Sequence, residues 1–165
     1  MPTLIKWQTD TTTKVTVFAG AADAADDMVA KPTAKAALSA AIENTDGSQY
    51  AFFELHSQSQ AASASGYFNL WIIRSLDGTT FEDGAGSTAG GTSTIPARPA
   101  DMVIPVRDLS TTQQVVVTPI LLLPPQDFKI LLQNVTGQTL TTTTTSVPAD
   151  ATTSLFMISF NDEAQ

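Results

Sequence analysis

The sequence predicts an all-β protein, a two-layered β-sandwich of about eight antiparallel strands. Three observations carry this. Dense apolar runs such as YFNLWIIRS alternate at period two. They are separated by Asp-Gly, Asn, Gly and Pro punctuation at short intervals. Thr contributes 25 of 165 residues, whereas charged residues make up only 15%. A Thr-rich, charge-poor chain suits pleated strands whose outer faces are neutral and pressed against neighbours.

The first strand is expected over residues 12–18, with Val15 and Val17 on one face and Thr12, Lys14 and Thr16 on the other. Residues 36–43, AALSAAIE, fit a second strand. They also fit a short helix capped by Thr33, with Leu38 and Ile42 four apart. The hairpin-type turn Asn44-Thr45-Asp46-Gly47 that follows favours the strand. In the third, 50–57, Phe53 and Leu55 share one face and Phe52, Glu54 and His56 the other. The fourth, 67–75, has Phe68, Leu70 and Ile72 opposed to Trp71 and Ile73, so both its faces should be covered. Segments 100–109, 113–121, 127–135 and 154–161 complete a set of eight. That number and length match a jelly roll.

Three segments do not read as core. Residues 19–32 are rich in Ala and Asp, 84–99 form a Gly/Ser/Thr/Pro insertion, and 138–150 contain a run of Thr. The chain divides into residues 1–34, an extended N-terminal arm with the first strand, and 35–165, the body of a single jelly-roll domain.

Bulk charge narrows the function. A net charge of −8 and eight scattered Lys and Arg oppose nucleic-acid binding and attachment to anionic lipid. The absence of Cys removes disulfides and thiolate metal sites. MPTLIKWQTD lacks an apolar signal core, so no secretory leader is expected.

The candidate chemistry is sparse. His56 is the only histidine, too few for a cupin-type metal site, and no GxSxG accompanies Ser57 or Ser59. It reads as a strand-face polar residue. Asp77, Glu82, Asp83 and Asp101 have the chemistry to gather around calcium, but Asp77-Gly78 and Asp83-Gly84 also read as turn pairs. Trp7, Tyr67 and Trp71 offer a sugar-stacking platform, although Trp71 sits in an apolar strand and is expected in the core. Asn134-Val135-Thr136 matches a glycosylation sequon and reads as incidental. No catalytic residue, cofactor site or metal site is assigned.

Several pieces resemble a group of small structural proteins of tailed bacteriophages: KAALSAAIENTDGSQYAFFELHSQ, LWIIRSLDGTTFEDG, RPADMVIPVRDLS and LPPQDFKILLQNVTGQTL. In that group a strand ending in Ile-acid-Asn leads into a long apolar strand and an S-x-DGTxYeDG turn. A Pro-Pro-x-x-Phe-Lys strand then ends in N-x-TGQ. Here these fall at Ala41 to Asn44, at 75–84 and at 124–138. The resemblance spans about 35–140, and its motifs are turns and strands with no catalytic signature.

The resemblance implies a virion component, most like the jelly-roll decoration (cement) proteins that staple neighbouring subunits on the outer head surface. It implies manufacture in the bacterial host cytoplasm, the major capsid protein and sister copies as partners, and a homotrimer or homodimer. Leu4, Ile5 and Trp7 in the arm are the expected contacts. The alternatives are a receptor- or glycan-binding module of a head or tail fibre, using loop 84–99, or a tail or connector component.

Overall fold

The computed structural model describes residues 5–9, 15–18, 36–45, 47–57, 66–83, 95–107, 114–137 and 153–164. Its strands are β1 (Ile5–Thr9), β2 (Val15–Phe18), β3 (Ala36–Leu38), β4 (Tyr50–Ser57) and β5 (Tyr67–Arg74). Then come β6 (Met102–Pro105), β7 (Gln114–Val117), β8 (Leu121–Leu122), β9 (Phe128–Asn134) and β10 (Ser154–Ala164). No helix occurs among the described residues. All pairings are antiparallel.

The strands form two sheets. Sheet A runs β1–β10–β4–β7, with β2 also on β10 and β8 also on β4; sheet B runs β3–β9–β5–β6. Alternation explains how they meet. Phe53 and Leu55 of β4 and Leu155 and Met157 of β10 point inward from sheet A. Phe68, Leu70 and Ile72 of β5 and Phe128, Ile130 and Leu132 of β9 point inward from sheet B, and together they make one buried cluster. The architecture is sandwich-like and all-β, as the periodicity predicts.

β5 is covered on both faces. Its outward residues Trp71 and Ile73 join Ala36 and Leu131 in a second cluster, flanked by Leu38, Phe81, Ile95 and Ala100. Trp71 is only 3% exposed, and its indole N–H donates to the Arg98 carbonyl at 3.2 Å. The unbroken apolar run from Leu70 to Ile73 is what two-sided burial requires.

Residues 36–43 are extended but interrupted. Ser39 N–H donates to the Ile130 carbonyl, and the chain rejoins β9 at the Ile42–Phe128 bridge. Between those points Ala40 and Ala41 oppose Lys129 alone, which is the two-against-one count of a β-bulge. The bulge reverses the alternation, so Leu38 packs in the outer cluster and Ile42 against the main core. A spacing of four, which suggested one helical face, in fact serves two faces of a sheet.

Other boundaries moved. The segment 113–121 holds β7 and the first residue of β8, because Thr118 interrupts the ladder by offering its side chain to β4. In the segment 100–109 only Met102–Pro105 is a strand, and of 12–18 only Val15–Phe18 lies among the described residues. Residues 5–9 read as part of an arm, yet they form β1. Ile5 pairs with Ala164 and Thr9 with Phe160, while β2 follows along the same edge of β10 from Met157 to Leu155. β10 passes the end of β4 at Phe160, so Asn161–Ala164 is flanked by β1 alone among the described strands.

A buried hydroxyl sets the register of β4 on β7. Thr118 N–H donates to the Phe53 carbonyl at 2.8 Å, and Thr118 Oγ1 accepts from Phe53 N–H at 2.9 Å. Thr118→Val should keep the shape but leave that buried N–H without an acceptor. A loss of about 1–3 kcal/mol is expected in urea unfolding, with Thr118→Ser retaining most of the stability.

Candidate interaction surface

The acidic residues weighed for calcium all have structural partners. β6 leaves β5 after the Leu70–Met102 pair, so the remaining edge of β5 needs other partners. Asp101 N–H donates to the Leu70 carbonyl, and Asp101 Oδ2 accepts from Ile72 N–H at 2.7 Å. Arg98 Nη2 donates to the Ile72 carbonyl at 2.7 Å. Glu82 Oε1 accepts from Arg74 N–H at 3.0 Å. Arg98 ties the group together, with Nη1 at 2.8 Å from Asp101 and Nη2 at 2.9 Å from Glu82. Glu82 and Asp101 do converge, then, but on a guanidinium. Burial alone would lower the Arg98 pKa, but the hydrogen bonds and charges of Asp101 and Glu82 outweigh it and raise it.

Asp77 and Asp83 act in turns. Asp77 Oδ1 accepts from the N–H groups of Thr79 and Thr80, and Thr80 Oγ1 donates to Oδ2 at 2.9 Å. Gly78 follows with φ of +76°, the left-handed conformation that a glycine tolerates. Asp83 Oδ2 accepts from Ala97 N–H at 3.2 Å. Among the described residues no group of three or more His, Cys, Asp or Glu is placed to hold a metal ion. The sequon is also structural: Asn134 is only 6% exposed. Its Oδ1 accepts from the N–H and hydroxyl of Thr136, ahead of Gly137 at φ of +73°.

Trp71 lies in the core, as its apolar strand predicts, and segment 95–100 packs over it, which removes it from any sugar-stacking platform. Nothing is described of the side chains of Ile5 and Trp7, whose backbones pair with Ala164 and Asp162; Leu4 lies outside the described residues.

A different aromatic surface emerges on the outer face of sheet A. Directly opposed residues of antiparallel strands share a face. Tyr50 opposes Phe160, Phe52 opposes Ile158, Glu54 opposes Phe156 and His56 opposes Ser154. On the other flank of β4, Val117 opposes Glu54, Val115 opposes His56 and Leu122 opposes Tyr50. Phe160 stacks on Tyr50 with ring centroids 5.6 Å apart and lies 6.3 Å from Phe52. His56 presents its ring edge-on to Phe156 and contacts the Glu54 carboxylate.

The face is therefore apolar with one internally matched pair. Its β7–β8 margin is open to solvent: Val115 is 53%, Val117 55% and Leu122 72% exposed, with Ile120 at 51% in the link between them. Isolated exposed apolar side chains need no explanation, but a contiguous set marks an interaction site. Leu76 and Val103 are exposed elsewhere.

Sequence patterning anticipated half of this surface. Period-two alternation places Phe52, Glu54 and His56 on the face opposite Phe53 and Leu55, and SLFMISF has the same alternation. What it lacked was the pairing that sets Val115, Val117 and Leu122 beside them.

No protein-family model matches the chain, and no curated protein shows significant similarity to it. No helix among the described residues is long and apolar enough to cross a membrane.

Arg98→Met should lower stability by about 1–3 kcal/mol in urea unfolding, since it leaves the Ile72 carbonyl without its donor and two carboxylates without their cation. Asp77 provides a pH test. Hydrogen bonds from Thr80 and then Thr79 hold its carboxyl well below the usual range. A depressed pKa contributes stability above the unfolded value, about 4, and loses it as pH falls further. Asp77→Asn should lower the melting temperature at pH 7, with the difference from wild type shrinking below about pH 4.

Proposed function

We propose that this chain is a non-enzymatic structural protein of a tailed-phage virion, a decoration protein that binds the outer head surface and bridges capsid subunits. Within this proposal the fold is a jelly roll. The interleaved order β1/β2–β10–β4–β7/β8 facing β3–β9–β5–β6 supports that reading, since the chain passes repeatedly between the two sheets. The motif resemblance at 35–140 supports the virion assignment.

The observation that carries the proposal is the apolar outer face of sheet A with its exposed margin at Val115, Val117 and Leu122. A face poor in charge adheres without desolvating ions. Many modest contacts repeated over a shell would add up to firm attachment. Leu4, Ile5 and Trp7 are proposed as further contacts of the N-terminal segment. Asp77, Asp101 and Arg98 are held in a turn and along a strand edge, in keeping with work done by surfaces.

The test uses heads from phage lacking this gene product, titrated with purified chain and sedimented. Saturable binding at a fixed copy ratio is expected. Val117→Glu with Leu122→Glu should weaken it by ~10-fold or more, because each buried carboxylate would be unpaired. Binding to a glycan array with no affinity for heads would overturn the proposal in favour of a fibre tip.

A further inference from the structure

We propose that β7 is a self-docking edge, through which two copies pair antiparallel about a two-fold axis at Val116 and join their A sheets into one. β7 is the end of the sheet A path. Thr118 N–H bonds to Phe53, and bonding alternates along an antiparallel ladder. Gln114 and Val116 therefore aim their backbone groups at β4, while Val115 and Val117 aim theirs away from it, where no described strand pairs with them.

Those two residues set the geometry. With the axis at Val116, Val115 of one copy lies opposite Val117 of the other, and each pair exchanges two N–H···O bonds. The two valines already share the outer face, opposite His56 and Glu54. The joined strands would thus present cross-strand valine pairs on one side, a favoured combination.

Charge selects a second copy as the occupant. The chain carries −8 overall, so two copies repel over most of their surfaces. Residues 109–126 contain no charged side chain, and Glu54 and His56, the ionisable residues opposite β7, contact each other. This edge is where like-charged copies meet without facing like charges.

Among the described strands none covers this edge, and its own residues do not guard it. Sheet B ends in β6, which contains Pro105 and is flanked by Asp101 and Arg107, features that block edge pairing. No proline or charge interrupts Gln114–Val117. The exposed apolar area of Val115, Val117, Ile120 and Leu122 is on the order of 300 Å², well below the roughly 800 Å² per partner of a tight complex. The dimer should accordingly be weak in free solution.

The inference is independent of attachment to heads and is tested without them. The chain has no cysteine, so disulfide trapping has no background. Val115→Cys and Val117→Cys are made as separate variants, with fold checked by far-ultraviolet circular dichroism and melting temperature. In the proposed register Val115 and Val117 of opposite copies have Cα atoms about 5.5 Å apart, within disulfide reach. Like positions are two residues out of register, beyond about 7 Å. Mixing the two variants at high concentration under mild oxidant should give a disulfide-linked dimer, whereas either variant alone should give little. Folded variants that do not cross-link when mixed, or that cross-link equally well alone, would overturn the pairing.

Discussion

The structure depends on holding the register of its central strands. Both faces of sheet A and both faces of β5 are apolar. A one-residue slip would exchange one greasy face for another, so hydrophobic contrast alone specifies register weakly. Polar side chains that bond to strand backbones supply the missing specification. Thr118 bonds Phe53, Ser39 Oγ accepts from Ile130 N–H at 2.8 Å, and Asp101 bonds Ile72. Asn161 Oδ1 accepts from Gln49 N–H at 2.9 Å. Each works in one alignment only.

These groups also finish ladders that the strands leave incomplete. β6 is shorter than β5, and Asp101, Arg98 and Glu82 continue the pairing along the exposed stretch. An apolar core leaves no water to satisfy a stray N–H or C=O, so the shortfall must be met by side chains. The same need converts a sequon and a cluster of acids, which look chemical in the sequence, into structural parts.

With the interior closed in this way, the outer face of sheet A is left to work outward. Its aromatic residues pack on one another near β10, and its aliphatic residues open to solvent near β7. A surface graded from packed to exposed suits docking, because the rigid part fixes the shape that the exposed part presents. Adhesion to a shell and pairing along β7 would use adjoining parts of this sheet, one its face and one its edge.

The strand class, the inward residues of β4 and β5, and the burial of Trp71 were legible in the sequence. They follow from period-two alternation, which is a local property. The bulge at Ala40–Ala41, the splitting of 113–121 and the strand at Ile5–Thr9 were not. Each depends on which partner a strand meets, and β1 finds β10 across nearly the whole chain. Residues such as Asp101 and Glu82 were visible as acids, but only the tertiary structure could assign them to Arg98 and the edge of β5. The exposed margin was likewise decided by folding: Val115, Val117 and Leu122 look like core in a string of letters, and only the strand order leaves them at an edge.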